Sequence, residues 1–252
     1  MAEASVQPTR RERQREATYA EIVSVARSLL AEGAELSLRA VAGRMGMTAP
    51  ALYRYVASYQ ELVDLVAFEI DKAATERMAE AAEVIPADDP AGRLVVSAAV
   101  FRSWAHEQPR EFTLVFANPI ADTACVRREL LTAATSGHYF HDLLLQMWDR
   151  NPFPHPELDE LEPQVAEALK DPLIPIDIEK VPDGHRGMLW VFIRAWAALY
   201  GVVTLEVFGH MDPRIIESGA MFTSMMRDWL PQLGLADDAE RLEGLVREHL
   251  SR

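Results

Sequence analysis

The sequence contains one cysteine, Cys125, in 252 residues. A single cysteine cannot form a disulfide bond within the chain or build a cysteine-based metal cluster, so a reducing compartment is expected. The N-terminus also lacks the apolar segment of a secretory signal peptide. These absences predict a cytoplasmic protein without disulfide bonds.

Motifs of the common catalytic sites are absent as well. The chain has no G-x-S-x-G, no H-E-x-x-H, no phosphate-binding glycine loop and no dinucleotide-binding fingerprint. His138 and His141 are three residues apart, but they lack the nearby carboxylate motif expected of a metal site. We therefore predict no enzyme activity, no catalytic residues, no cofactor and no metal.

Positive charge is scarce and unevenly distributed. The chain carries a formal net charge of −14. Residues 1–60 contain eight arginines and six glutamates, a balance of +2, so the remainder carries −14 − 2 = −16. A basic N-terminal module on an acidic body would approach nucleic acid through that module. An ordinary solvated acidic surface gives the same distribution.

Residues 37–62 hold the clearest structural signals. Ser37 is suited to cap a short helix, and Gly46 predicts a tight turn after it. Thr48 is suited to cap a second helix over residues 49–56. Ser58 and Glu61 form an S-x-x-E capping box that begins a third helix. The stretch therefore predicts a helix-turn-helix with a scaffold helix behind it.

A short helix of this kind fits the DNA major groove, where base edges are reached from its N-terminal residues. Ala49 and Ala51 are small enough to permit close approach to the bases. A similar turn occurs in three-helix subdomains that bind no DNA, so periodicity alone leaves both interpretations open.

The helix-turn-helix stretch follows Gly33 and contains the string Leu36-Ser37-Leu38-Arg39-x-Val41-Ala42-x-x-Met45-Gly46-Met47-Thr48-x-Pro50-x-Leu52-Tyr53-x-Tyr55-Val56-x-Ser58-x-x-Glu61-Leu62. Through many positions at fixed spacing, without a gap, residues 14–65 resemble the TetR family of one-component transcription regulators. This resemblance implies an all-α homodimer that binds a palindromic operator in double-stranded DNA. Such a protein is usually a repressor, and a small-molecule effector in its C-terminal domain releases the operator.

The same resemblance implies roles for individual residues. Arg39 is expected to reach a base or a phosphate. The residues expected to lie on or beside the DNA are Thr48, Ala49, Ala51, Tyr53 and Tyr55. Tyr59 occupies the position where the family usually has a phosphate-binding lysine. Because a phenol brings one hydrogen bond and no charge, this contact should be weaker and less dependent on salt.

A basic arm begins the first helix, which is predicted to extend to about Glu32. Arg10, Arg11 and Arg13 lie at the start of this helix, where the helix dipole favours acidic residues. This local cost favours contact with phosphate or the minor groove over a purely solvated helix start.

The sequence as a whole predicts an all-α protein of two domains. Residues 1–58 form the helix-turn-helix DNA-binding domain, and residues 59–252 form the ligand-binding and dimerisation domain. The helix begun by Ser58 is predicted to run to about Val84 and to connect the two. A ligand that moves its far end would change the spacing of two recognition helices.

Two predicted helices, over 184–209 and 213–230, carry apolar stripes that favour a homodimer. Ile215, Phe222 and Trp229 are spaced seven apart, as in helices that pack on other helices. A monomer that buries both stripes internally is the alternative. Residues 187–205 are nearly long enough to cross a membrane, but Arg194 lies in their middle, which favours a subunit interface.

Aromatic, methionine and charged residues of the second domain are candidates for an effector pocket, although each aromatic residue also suits an ordinary core. The predicted ligand-binding residues are Phe101, Trp104, Phe116, Met147, Trp148, Trp190, Arg194 and Tyr200. Arg194 on an apolar helix is expected to need a carboxylate, a carbonyl or a ligand. A helical small-molecule-binding protein or enzyme that has lost DNA binding remains the alternative function.

A weaker resemblance concerns the second domain alone. Trp104, His106 and Pro109, together with residues 197–206, resemble the WHG-type C-terminal domain found in part of the TetR family. This resemblance identifies a fold subtype and no ligand.

Overall fold

The computed structural model describes residues 9–117, 134–182 and 184–250, and the regular secondary structure within these ranges is entirely helical. The α-helices are α1 Arg10–Glu32, α2 Leu38–Arg44, α3 Ala49–Leu52, α4 Tyr59–Ala82, α5 Pro90–Glu107, α6 Pro109–Phe116, α7 Thr135–Arg150, α8 Pro163–Ala168, α9 Met188–Val207, α10 Pro213–Ser218, α11 Ala220–Trp229 and α12 Ala239–Leu250. The sequence also predicts a helix over residues 121–134, and this range falls almost wholly outside the described residues.

The chain divides into two compact units. The first contains residues 1–70 and 110–120, and the second contains residues 71–109 and 121–252. Helix α4 contributes its residues up to Ile70 to the first unit and those from Asp71 to the second. The chain therefore enters the first unit twice.

The first unit has a small core drawn from α1 to α4. Ile22, Ala26, Val41, Leu52 and Leu62 are almost completely buried there. Helix α1 ends where Gly33 takes a left-handed backbone with φ of 74°. The helical periodicity of the apolar residues, read from the sequence, therefore matches the packing of this unit.

Helix α5 is the central element of the second unit. Residues 94–102 of α5 are all buried, and the helix packs against α7, α9 and α12. Helix α9 packs against α11, which in turn packs against α12. The proline-rich segment between α7 and α9 contains α8 and two short 3₁₀ turns, and it buries Phe153 and Val181.

Several predicted boundaries differ from the structure. The helix predicted over 213–230 is two helices, because Gly219 adopts φ of 63° and separates α10 from α11. Ile215 is exposed on α10 whereas Phe222 is completely buried on α11, so the predicted seven-residue stripe is not continuous. The helix predicted over residues 49–56 is a regular α-helix only as far as Leu52, where α3 ends, and residues 53–55 continue it as a turn. The sequence also predicts one helical piece near residues 158–169, where the structure has a 3₁₀ turn followed by α8.

Candidate nucleic-acid interface and ligand site

The helix-turn-helix is held by the capping residues read from the sequence. The Ser37 hydroxyl accepts a hydrogen bond from the Ala40 N–H at 3.2 Å, and Gly46 adopts φ of 68° in the turn. Ser58 accepts from the Glu61 N–H at 3.1 Å, while the Glu61 carboxylate accepts from the Ala57 N–H at 2.5 Å. In the usual capping box the glutamate accepts from the N–H of the N-cap residue, which is Ser58 here. In this chain Glu61 accepts from the residue before Ser58, Ala57. Thr48 occupies the N-cap position of α3 without a side-chain hydrogen bond.

The recognition segment continues past α3 through further helical hydrogen bonds. The Tyr53 N–H donates to the Ala49 carbonyl at 3.1 Å, and the Val56 N–H donates to the Leu52 carbonyl at 3.2 Å. Leu52 and Val56 are buried. Residues 49–56 therefore form one short helical segment, called the recognition segment below. The side of this segment that carries Leu52 and Val56 packs into the core.

Solvent reaches several of the residues predicted to contact DNA. Arg39 and Thr48 are exposed, and Tyr53 and Tyr59 expose 51% and 50% of their surface. The half-buried members of the predicted set are Ala49, Ala51 and Tyr55. Of the exposed group, Tyr53 lies within the recognition segment and Thr48 immediately precedes it, so this side is open to a base edge.

The arginine arm lies on the first turns of α1, and all three predicted arm residues are exposed: Arg10, Arg11 and Arg13. Thr9 and Glu12 form a reciprocal capping box, with the Thr9 N–H donating to the Glu12 carboxylate at 2.6 Å. This bond holds the pKa of Glu12 below its usual range. The acidic residue at this helix start offsets part of the unfavourable interaction between the arginines and the helix dipole.

A contact between α1 and the recognition segment was not read from the sequence. The Tyr19 hydroxyl donates to the Tyr55 carbonyl at 3.0 Å and accepts from the Arg15 guanidinium at 3.0 Å. The Tyr19 and Tyr55 rings meet edge to face with centroids 5.7 Å apart. Both the backbone carbonyl and the ring of Tyr55 are therefore in contact with Tyr19 on α1.

Helix α6 supplies a second contact that sequence reasoning missed. Glu111 accepts hydrogen bonds from Nε and Nη2 of Arg27 at 2.6 and 3.1 Å. Arg110 donates to the carbonyl oxygens of Leu30 and Ala31 at the end of α1. No periodic signal marks this contact, because it joins residues far apart in sequence.

The predicted ligand residues fall into separate groups. Phe101 and Trp104 on α5 lie beside Trp196 on α9, with centroid distances of 6.0 Å between Phe101 and Trp104 and 5.7 Å between Phe101 and Trp196. Tyr200 stacks on Trp196 at 6.0 Å. These residues form an aromatic cluster between α5 and α9.

The other predicted aromatic residues lie elsewhere. Trp148 is buried with Met147 on α7, and its ring packs against His155 and His185 at centroid distances of 5.0 and 5.2 Å. Phe116 packs against Phe112 in the first unit. Trp190 is half-buried on α9.

Arg194 is not buried within the chain, contrary to the prediction that it needs a partner in an apolar interior. It is exposed, its guanidinium lies 5.3 Å from the Trp229 ring centroid, and Nη2 is 3.5 Å from the Gln232 side-chain oxygen. Position 194 of α9 therefore faces solvent in the single chain. The apolar residues on either side of Arg194 in the sequence do not reveal this.

A buried charge cluster occurs instead at Glu206, which the sequence analysis did not single out as a charge site. Its carboxylate accepts from Arg102 Nε at 2.5 Å and lies 3.1 Å from His106 Nε2. Arg102 also donates to the Ile216 carbonyl at 2.7 Å. The cluster ties α5 and α9 to α10, and it unites His106 and Glu206 of the predicted WHG-type pattern.

The second unit has an open groove between α11 and α12 with a volume of about 410 Å³. Its lining includes the hydroxyl and guanidinium side chains of Ser218, Thr223, Ser224, Arg227 and Arg247. None of the predicted ligand residues lines this groove. Within the described ranges, no three metal-ligating side chains come together, and His141 instead donates from Nδ1 to the Gly137 carbonyl at 2.7 Å.

The C-terminal part of the chain matches a known family of domains. Residues 94–229, more than half of the chain, match the family described as "Tetracyclin repressor-like, C-terminal domain". The chain is 28% identical over 233 residues to the HTH-type transcriptional regulator Rv1816 of Mycobacterium tuberculosis, covering 84% of this chain and 91% of the relative. The regulator Mb1846 of Mycobacterium bovis matches over the same length with the same identity.

A solved structure has the same fold. The crystal structure of SCO4313, described as a regulatory protein, superimposes with a TM-score of 0.59 at 23% identity. The match covers 88% of this chain and 100% of that chain. At this identity the likeness concerns the fold alone.

Proposed function

The chain belongs to the TetR family of transcription regulators, and from this premise we propose that it is a repressor that leaves a palindromic operator when a small molecule binds its C-terminal domain. In this proposal residues 1–58 bind DNA, and residues 59–252 bind the effector and form a homodimer. A DNA-binding regulator of this kind acts in the cytoplasm.

The exposed outer side of the capped helix-turn-helix is the observation that carries the proposal. Arg39, Thr48 and Tyr53 are accessible on elements whose inner residues, Leu38 and Leu52, are buried. A short helical segment that is packed on its inner side and accessible on its outer side suits insertion into the major groove. Ala49 and Ala51 then approach the bases, and Tyr59 with the arm residues Arg10, Arg11 and Arg13 approaches the backbone.

Two helices are suited to carry the effector signal. Helix α4 is continuous through the boundary between the units, and α6 follows α5 after a single residue, Gln108. Within the first unit, Glu111 and Arg110 of α6 form hydrogen bonds with α1. A shift of either helix at its second-unit end would change the orientation of the recognition segment.

The apolar helix α9 supports dimer formation. Met188–Val207 is long and apolar enough to cross a membrane, with a mean hydropathy of 1.7, yet only 33% of that stretch is buried within the chain. Leu205, Phe208, Ile215 and Met221 expose 40–43% of their surface on or near α9, α10 and α11. A second copy would cover these residues, since apolar helices of two chains can pack together as a helix bundle about a two-fold axis.

The effector is proposed to contact the aromatic cluster between α5 and α9. Phe101, Trp104 and Tyr200 belong to it, while Met147, Trp148 and Trp190 extend the apolar surroundings on α7 and α9. Phe116, which packs against Phe112 in the first unit, and the exposed Arg194 are not included in this proposed site. Rings of this kind suit an apolar or aromatic small molecule.

The test is a selection of random duplex DNA on the purified full-length protein at several salt concentrations. We expect a palindrome whose half-sites lie about 34–36 Å apart or at a multiple of that spacing. A doubly substituted Arg39→Ala, Tyr53→Ala protein serves as the matched control and should enrich no palindrome. Failure of the unsubstituted protein, after mass spectrometry of the denatured sample has excluded a bound small molecule, would favour the alternative of a ligand-binding protein without an operator.

A further inference from the structure

Tyr19 joins α1 to the far end of the recognition segment. Its hydroxyl lies 3.0 Å from the Tyr55 carbonyl oxygen and 3.0 Å from Nη2 of Arg15. The Tyr55 carbonyl can only accept, so the Tyr19 hydroxyl donates to it and accepts from the Arg15 guanidinium. Arg15 therefore supplies a second hydrogen bond that holds the Tyr19 hydroxyl in place.

The carbonyl that Tyr19 binds is one that a helix leaves without an internal partner. The last carbonyl groups of a helix have no N–H group ahead of them, and Tyr55 belongs to the last turn of the recognition segment. Tyr19 supplies the missing donor from another helix. The ring contact at 5.7 Å and an angle of 86° adds a second restraint on the same residue.

The recognition segment needs such a restraint because it is short. Helix α3 itself has four residues, and helices of this length have little stability of their own. Leu52 and Val56 anchor the inner face, but two apolar contacts on one line still permit rotation about that line. The contact at Tyr55 lies outside that line and opposes the rotation.

We propose that Tyr19 is a positioning residue for DNA recognition, which sets the angle at which Ala49 and Tyr53 meet the base edges, and that Arg15 braces Tyr19 in place of a phosphate contact. This inference rests on the proposed operator binding. Base contacts give sequence preference, whereas phosphate contacts give most of the non-specific affinity. Loss of the restraint should therefore reduce specific binding much more than non-specific binding.

The experiment compares Tyr19→Phe with the unsubstituted protein on the selected operator and on a shuffled duplex of equal length. Tyr19→Phe keeps the ring contact and removes the hydroxyl. We expect operator affinity to fall about tenfold, as for loss of one well-placed hydrogen bond in each half of a dimer. Affinity for the shuffled duplex should change less than about twofold. The matched control is Tyr139→Phe, which removes a half-buried hydroxyl bonded to Ser97 in the second unit and should change neither affinity.

Each other outcome decides against the proposal. Equal losses on both duplexes together with a lower unfolding temperature would give Tyr19 a merely structural role. Unchanged affinity for both duplexes would remove the role entirely. No operator preference in the unsubstituted protein would overturn the proposed function itself, which separates the two failures.

Arg15→Met tests the second half of the inference. If Arg15 braces Tyr19, the salt dependence of operator binding should be the same in Arg15→Met as in the unsubstituted protein, with a smaller affinity loss than for Tyr19→Phe. A salt slope reduced by about 1 would assign Arg15 to a phosphate and overturn its bracing role.

Discussion

Glu111 on α6 accepts two hydrogen bonds from Arg27 on α1, at 2.6 and 3.1 Å. The Glu111 side chain is 8% exposed and that of Arg27 is 38% exposed, so the carboxylate is the buried partner of the pair. A buried carboxylate needs its cation, because the charge has been removed from water. This relationship makes α6 an integral part of the unit that contains the helix-turn-helix.

Arg27→Met should lower the free energy of unfolding of the first unit by about 2 kcal/mol. The loss is below the ~3–5 kcal/mol typical of a fully buried pair because Arg27 is partly solvated. Urea unfolding followed by circular dichroism measures it. The double variant Arg27→Met, Glu111→Leu should recover most of the loss, since no charge is left unpaired. A double variant as unstable as the sum of the single variants would contradict this coupling.

Arg39→Ala and Tyr53→Ala should each weaken operator binding by about 1–3 kcal/mol if their side chains reach base edges. Arg44→Ala is the matched control, because Arg44 lies on the same helix as Arg39 but binds Glu32 through two hydrogen bonds of 2.9 and 2.8 Å. Fluorescence anisotropy with labelled operator gives the affinities, and sedimentation verifies that the oligomeric state is unchanged. Equal losses of operator affinity in Arg39→Ala and Arg44→Ala would contradict the proposed contact between Arg39 and the DNA.

Tyr59→Lys should strengthen operator binding and make it more dependent on salt. The side chain is half exposed at the start of α4, and a lysine there adds one cation for a phosphate. The slope of log affinity against log salt concentration should steepen by about 0.9 for each added phosphate contact. Phe68→Lys, at an exposed position further along α4, should leave the slope unchanged. An unchanged slope for Tyr59→Lys would place residue 59 away from the backbone.

Leu205→Glu combined with Ile215→Glu should convert the proposed dimer into a monomer. Both residues are at least 40% exposed in one chain, and a charge placed in an apolar interface is costly. Analytical ultracentrifugation gives the mass directly. Leu173→Glu, at a leucine that is 46% exposed in the segment between α8 and α9, is the control and should leave the mass as it is. A double variant of unchanged dimeric mass would move the interface elsewhere.

His141 should make the protein less stable in mild acid. Burial lowers the pKa of His141, against a smaller opposing effect of its hydrogen bond to Gly137. The unfolded chain takes up a proton near the ordinary pKa of about 6.5, whereas the folded chain does not until lower pH. Stability should therefore fall as pH drops below about 6.5, by at most about 1.4 kcal/mol per pH unit, and level off below the lowered pKa.

His141→Phe should abolish that part of the pH dependence, while His210→Phe, at an exposed histidine, should leave it intact. Urea unfolding at a series of pH values between about 5 and 8 makes the comparison. A slope that persists in His141→Phe would assign the acid sensitivity to another group.

The sequence was most informative where structure depends on neighbouring residues. Capping by Ser37, the turn at Gly46 and the ends of α1 all follow from local hydrogen bonding and backbone preference. The family resemblance rested on the same local signals. The comparisons confirmed the all-α fold and the class of regulator.

The sequence was least informative where distant residues meet. Glu111 and Arg27, or Glu206 and Arg102, are ordinary charged residues in the sequence, and only the packed chain shows that they are buried partners. Arg194 was misread for the same reason, because apolar neighbours do not tell which side of a helix faces inwards. The break at Gly219 was missed since glycine inside an apolar repeat is also tolerated within a helix.

The second entry of the chain into the first unit affects how the protein is made. Arg27 and Glu111 are separated by 84 residues. At a synthesis rate of about 5–20 residues per second, α1 therefore leaves the ribosome roughly 4–17 s before its partner on α6 exists. During that interval the nascent helix-turn-helix lacks one of its stabilising contacts, and a fragment ending after α4 would keep that deficiency permanently. A shortened version of this unit that keeps the contact would retain residues 110–117, joined to the rest by a linker.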